Sequence, residues 1–156
     1  MKVTKLFVGT DHLRTKIIIN YETLEQVSQF TYLGCSISYQ FSNDVEFKLA
    51  KFLQLIGTIK RTIFKKVRRE TILQIYNTLV LLTFLYGSEN WTLTALQGRR
   101  IEGAEMKLLR PLAGYTIYAH KTNDYIRCEL RITGILDKID EYRQNWLSHL
   151  QRMPQN

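Results

Sequence analysis

The hydrophobic period of this chain changes once, near Ser42, and that change constrains the fold more than any other feature. Ahead of it, β-branched and aromatic residues come in short runs between turn-forming clusters; after it, apolar residues recur at helical spacing. Val45, Leu49, Phe52, Ile56, Ile59 and Ile63 follow at intervals of four, three, four, three and four, one apolar stripe on a long helix. Asn43-Asp44-Val45-Glu46 fits a capping box, with Asn43 accepting an early amide proton and Glu46 reaching back. A second helix, about Arg69 to Leu85, carries Ile72, Ile75, Tyr76, Leu79, Val80 and Leu82. Apolar over much of its circumference, it is expected to be the most buried element. Thr94-Ala95-Leu96-Gln97 is another capping box. It opens a third helix on Ile101, Ala104, Leu108 and Leu112, kinked near Pro111 and ended by Gly114. A short helix near Asn123–Leu130 and a last one near Leu136–Met153 follow, the last striped by Ile139, Tyr142, Trp146, Leu150 and Met153. Helices of this length on short loops imply a bundle.

The first forty residues read as strands. Val3 to Val8 alternates, Ile17–Ile19 follows a polar turn around Gly9–Thr15, and Leu24–Ser28 and Phe30–Ser38 give two further β-like runs. The expectation is one antiparallel sheet of three or four strands, with Asn20–Thr23 as a tight hairpin. Such a segment is too short to bury both faces, so it should pack on helices or on further protein. The fold class is therefore α+β, mostly α: a short N-terminal antiparallel β-sheet followed by a helical bundle.

Composition narrows the function classes. With 156 residues the size prior is one domain, and 45% hydrophobic against 23% charged residues is ordinary globular usage. Lys and Arg number 22 against 14 Asp and Glu, a net +8 that favours a polyanionic partner, nucleic acid first and an anionic membrane surface second. Cys35 and Cys128 are too few for a disulfide framework or a four-cysteine zinc site, and read as reduced and intracellular, nuclear or cytoplasmic. The stretch Met1–Gly9 lacks the continuous apolar core of a signal peptide. Leu79–Tyr86, interrupted by Thr83, is far short of the ~20 residues that span a membrane.

Several strings go beyond composition. They are Phe30-Thr31-Tyr32-Leu33-Gly34-Cys35, Tyr86-Gly87-Ser88-Glu89-Asn90-Trp91, Arg100-Ile101-Glu102, Ala104-Glu105-Met106-Lys107-Leu108-Leu109-Arg110, Ala113-Gly114-Tyr115-Thr116 and Trp146-Leu147-Ser148-His149-Leu150-Gln151-Arg152-Met153. In order and spacing they resemble the carboxy-terminal part of reverse transcriptases from non-LTR (LINE-type) retrotransposons, over nearly the whole chain. The resemblance implies a β-rich palm-end segment over 1–41, with Tyr32, Leu33 and Gly34 in the hairpin that holds the primer end. It further implies a thumb-like helical bundle over 42–114, packing on a primer–template duplex, and a helical extension over 115–156. Gly34 suits close approach of backbone to a sugar-phosphate, where a Cβ would obstruct. The same residues also fit a plain reading, with Tyr32 and Leu33 in the core and Gly34 in a turn.

The polymerase chemistry of that family is two-metal phosphoryl transfer, which needs carboxylates holding two Mg²⁺ ions about 3.5–4 Å apart. No Asp-Asp dipeptide occurs here, and the resemblance implies that the catalytic motifs would lie upstream of Met1. Asp44 and Glu46 read as first-turn helix charges; Asp137, Asp140 and Glu141 read as the start and solvated face of the last helix. His12, His120, His149, Cys35 and Cys128 lack metal-ligand spacing, and no phosphate loop or nucleophile elbow is present. The expectation is a non-catalytic chain with no metal, no cofactor and no membrane span.

One local charge concentration remains: Lys60, Arg61, Lys65, Lys66, Arg68 and Arg69. If the first helix runs through it, Ile59, Ile63, Phe64 and Val67 share one arc and the six cations spread over the other side. Such a surface can track the phosphates of an RNA–DNA or DNA duplex, or be a solvated interhelical turn. Arg99, Arg100, Lys107 and Arg110 form a weaker second patch, where Glu102 and Glu105 offer surface ion pairs instead. The other class of function is a helical remnant that meets another protein, such as a missing polymerase part, through an apolar face around Ile17–Ile19 and Phe30–Leu33.

Overall fold

The structure is a computed structural model that describes residues 18–19, 21–23, 29–38 and 42–153. Its contacts divide the chain into two compact units, 1–46 and 47–156. Most of the described chain is helical, with a minor β component at the N-terminal side, as the change of period predicts.

In the first unit, β1 (Ile18–Ile19) pairs antiparallel with β2 (Glu22–Thr23), Ile19 opposite Glu22. Tyr21 sits in the connection with φ 66°. Separately, β3 (Gln29–Tyr32) pairs with β4 (Cys35–Ser38), Tyr32 opposite Cys35. The expected single sheet is thus two separate two-stranded ladders among the described residues. The run Phe30–Ser38 is not one strand because Leu33 and Gly34 take φ 46° and 80°, which reverses the chain in a two-residue turn. The strands expected at 3–8 and 24–28 lie outside the described residues.

Helix α1 (Ser42–Thr62) opens one residue before Asn43, so Asn43 lies in its first turn and not at its cap. Val45, Leu49, Phe52, Ile56 and Ile59 are buried, and Ile63 is half-buried beyond the helix end. The helix does not continue through the basic stretch. Lys66 and Val67 N–H groups both bond the Ile63 carbonyl in a tight corner, and α2 (Arg69–Ile75) starts anew.

α2 passes without a break into a π-helical turn, Tyr76–Val80, and then α3 (Leu81–Leu85). Its inward residues are Ile72, Tyr76, Val80 and Phe84, four apart, with Leu81 and Leu85 beside them. Each four-residue step on an α-helix overshoots one turn by about 40°. The wider π turn takes up that drift and keeps the row facing inward. It also turns Leu79 and Leu82 outward, where they are 57% and 50% exposed, so the helix expected to be the most buried element is buried on one side only. Phe84 joins Phe52 at 4.7 Å and Trp91 at 5.3 Å between ring centroids, an aromatic core linking α1 to the segment after α3.

α4 (Ala95–Leu112) begins at the predicted capping box: Thr94 Oγ1 accepts from the Gln97 N–H, and Gln97 Oε1 accepts from the Thr94 N–H. It ends in a Schellman turn, with the Tyr115 N–H on the Arg110 carbonyl and Gly114 at φ 81°. Ile101, Ala104, Leu108 and Leu112 are buried as predicted. α5 (Asn123–Leu130) packs on it through Met106, Leu109, Ile126 and Leu130. α6 (Ile135–Arg152) buries Ile135 and Ile139 but leaves Trp146, Leu147, Leu150 and Met153 exposed, so only the first half of its stripe is core. Each fully buried apolar side chain contributes roughly 1.5–3 kcal/mol. Among the described residues no helix is long and apolar enough to cross a membrane.

α5 ends in the same kind of turn as α4, the Ile132 N–H bonding the Arg127 carbonyl, but its left-handed position is Arg131 at φ 54°. Arg131 is exposed, so its Cβ penalty has no compensating burial. Arg131→Gly should raise stability by about 0.5–1 kcal/mol and Tm by about 1–4 °C, read by thermal unfolding.

Candidate nucleic-acid interface

Tyr32, Leu33 and Gly34 occupy the tip of the β3–β4 hairpin in the first unit. Tyr32 is 59% and Leu33 70% exposed, so neither is a core residue. A two-residue turn with both φ values positive favours Gly at its second position, where Gly34 stands.

Lys60, Arg61, Lys65, Lys66, Arg68 and Arg69 belong to the second unit, where they gather at the α1–α2 corner. All six are exposed. Arg69 has a loose contact with Glu70, 3.8 Å from Nε to carboxylate. The other five form no ion pair among the described residues. Lys60 and Arg61 close the last turn of α1, Lys65 and Lys66 ride the turn itself, and Arg68 precedes α2 with no side-chain cap. Ile63, Phe64 and Val67 are half-buried beneath them, which holds the corner against the bundle while the charged heads reach solvent. The corner can hold anions by charge.

Several other cations have internal duties. Lys48, on α1, is buried; its ammonium donates to the Tyr86 carbonyl and lies over the rings of Tyr86 and Trp91, 5.6 and 5.3 Å from their centroids. Tyr86–Trp91 therefore builds a collar for Lys48, with Gly87 at φ 76° making the bend. Arg143 donates to the Trp91 carbonyl at 2.6 Å and tethers α6 to that collar. Arg110 donates to the Lys121 carbonyl and to Asn123 Oδ1, at 2.9 and 2.7 Å. The second patch read from the sequence is thus partly structural.

Glu105 departs furthest from expectation. It is fully buried, accepting from the Tyr76 hydroxyl at 2.8 Å and from Arg127 Nη2 and Nε at 2.7 and 3.2 Å. Arg127 also reaches Glu102 at 2.8 Å and Asp124 at 3.2 Å. Glu102 and Glu105 thus pair with α5 and not with the cations of their own helix. A signal was available: Glu105 stands four after Ile101 and three before Leu108, on the apolar arc itself. Gly134 leaves room for the network, since a Cβ there would stand 3.2 Å from Arg127 Cζ and 2.8 Å from Asp137 Oδ2. Three carboxylates do converge, but on a guanidinium. Among the described residues no three His, Cys, Asp or Glu are grouped to hold a metal ion.

A groove of about 590 Å³ lies between the 91–95 segment, the start of α4 and α6. Its carboxylates, Glu102 and Asp140, are each bound to an arginine, Arg127 and Arg143. It holds no unpaired acid–base group. The chain matches no known family, no curated protein and no solved structure.

Burial pushes the Glu105 carboxyl above its ordinary range, against the opposing hydrogen bonds from Arg127 and Tyr76. Burial also pushes the Tyr76 hydroxyl up, as does the adjacent Glu105 charge, so Tyr76 stays a donor. A carboxyl raised on folding contributes stability below its unfolded pKa, near 4.5, and loses that contribution as pH rises through the folded value. Removing the guanidinium enlarges the rise. Arg127→Met should cost about 3–5 kcal/mol at neutral pH by urea unfolding, and the deficit should shrink in acid as Glu105 takes a proton.

Proposed function

We propose that this chain is a non-catalytic nucleic-acid holder, similar to the thumb and post-thumb part of a non-LTR reverse transcriptase without its polymerase centre. Its ligand is the sugar-phosphate backbone of an RNA–DNA or DNA duplex, held without regard to sequence. The observation that carries this reading is the α1–α2 corner: five exposed cations, within nine residues, that form no ion pair among the described residues. A charge cluster of this kind releases condensed counterions on meeting duplex phosphates, which is the main source of sequence-independent affinity. The exposed Tyr32–Leu33 tip, reversed by Gly34, suits a second backbone contact. Binding alone is proposed: the chain makes no DNA by itself and needs another polypeptide for the chemistry.

The test is duplex binding across salt. With Lys60, Arg61, Lys65 and Lys66 changed to Ala, the log–log salt slope on an RNA–DNA hybrid should flatten by about 3–4 if all four meet phosphates. An unchanged slope removes the corner from the interface. The four residues are exposed, so far-UV circular dichroism should be unaltered.

A second reading, a protein-interaction module, is favoured by one observation. Trp146, Leu147, Leu150 and Met153 form an exposed apolar row along the end of α6, and Ile18, Tyr21, Tyr32 and Leu33 are exposed in the first unit. It predicts self-association that Trp146→Lys abolishes, measured by light scattering. A monomer at every concentration sinks it.

A further inference from the structure

The connection between α4 and α5 exposes aromatic side chains in a way the core does not require. A 3₁₀ turn, Ile117–Ala119, lifts Ile117 and Tyr118 into solvent, 82% and 86% exposed. An aromatic ring that open gains nothing from folding and adds a sticky surface. Yet the turn is tied at both ends. Tyr115 meets Tyr125 edge-on at 6.0 Å, and its N–H bonds the Arg110 carbonyl at 2.9 Å. His120 takes a left-handed φ of 48°, and Arg110 clamps the following segment through the Lys121 carbonyl and Asn123.

The charges around this turn are mostly of one sign. Lys121 Nζ lies 4.3 Å from the Tyr125 ring centroid, and Arg110 bonds only neutral acceptors. Lys107 is exposed one helical turn before Arg110, on the same side of α4. None of the three forms an ion pair among the described residues. Of the nearby acids, Asp124 pairs with Arg127, and Glu129 is exposed. Open π-faces beside unneutralised cations, on a loop fixed in place, make the combination that holds unpaired nucleotides: bases stack and phosphates meet ammonium groups. A duplex hides its base faces and has no use for Tyr118, which separates this surface from the α1–α2 corner.

We infer that the α4–α5 loop is a platform for single-stranded nucleic acid, with Tyr118 stacking on a base and Lys107 and Lys121 meeting flanking phosphates. It shares a ligand class with the α1–α2 corner and depends on none of its residues. The probe is fluorescein-labelled oligothymidylate, compared with a blunt duplex by anisotropy on the full chain. Tyr118→Ala should weaken oligothymidylate binding at least about fivefold and leave the duplex unaffected, and Tyr118→Trp should restore it. Lys107→Ala and Lys121→Ala should each flatten the single-strand salt slope by about 0.7. The same Tyr118 dependence is expected in the variant lacking the four corner cations, so failure of either surface is seen apart from the other. Unchanged oligothymidylate affinity in Tyr118→Ala overturns the inference and leaves Ile117–Tyr118 as a surface for protein. An equal loss on duplex and single strand overturns it too, because stacking on an exposed base cannot produce it.

Discussion

A fully buried carboxylate sets the terms for the second unit. Glu105 carries its charge, or its proton, with no access to water, so its oxygens must be met by donors within the protein. Tyr76 comes from the π turn and Arg127 from α5, while Glu105 itself is on α4. Three elements are thereby locked at one point. A buried ion pair adds little stability over an apolar cluster of equal volume, but breaking one is expensive. Its effect is therefore on register: sliding α2 past α4 by one turn would strand a hydroxyl and a charge together. The π turn belongs to this arrangement, since it keeps Tyr76 and Val80 facing inward.

From that lock outward, the cations fall into two kinds. Lys48, Arg110, Arg127 and Arg143 each reach a carbonyl, an amide or a carboxylate and join elements far apart in sequence. Their stems add packing to the bond. Among the described residues, Lys60, Arg61, Lys65, Lys66 and Arg68 form no ion pair, and Arg69 only a long one with Glu70. Net charge alone does not distinguish the two kinds, because a residue such as Arg127 counts toward the +8 while its field is spent on three carboxylates. What is left over for any polyanion is the unspent remainder, much of it where α1 ends and α2 begins.

Local signals made much of this fold legible. The four-three alternation from Val45 to Ile59 marks a buried face because one helix shows it unbroken. Thr94 and Gln97 bond each other's backbone, and Gly114 takes the left-handed turn; both are short-range chemistry that spacing can express. Illegible features depended on partners distant in sequence. Glu105 is buried only because Arg127 arrives twenty-two residues later. Leu79 and Leu82 look like core residues on a straight helix, and the π turn rotates them away. Arg131 adopts the conformation of a helix-ending glycine without being one. Of the candidate interface, the six cations could be read as a cluster, but not that the helix breaks among them, since Ile63, Phe64 and Val67 continue an apolar arc through the corner.

The break matters for how the corner charges are to be understood. A helix carries partial negative charge at its C-terminus and partial positive charge at its N-terminus. Lys60 and Arg61 lie in the last turn of α1, where cations stabilise the helix, so folding alone accounts for them. Arg68 and Arg69 stand at the start of α2, where cations are unfavourable and Ser, Thr, Asp or Asn is the usual choice ahead of the first turn. Lys65 and Lys66 add to the repulsion from the turn between. Glu70 is the one acid in that first turn, and its contact with Arg69 is long and exposed, worth little in water. Two of the six corner cations thus serve the fold and four work against it. A polyanion laid across the turn would offset the repulsion of those four while leaving Lys60 and Arg61 in place. The requirements of the helix do not explain the position of Arg68 and Arg69; the proposed polyanionic ligand would.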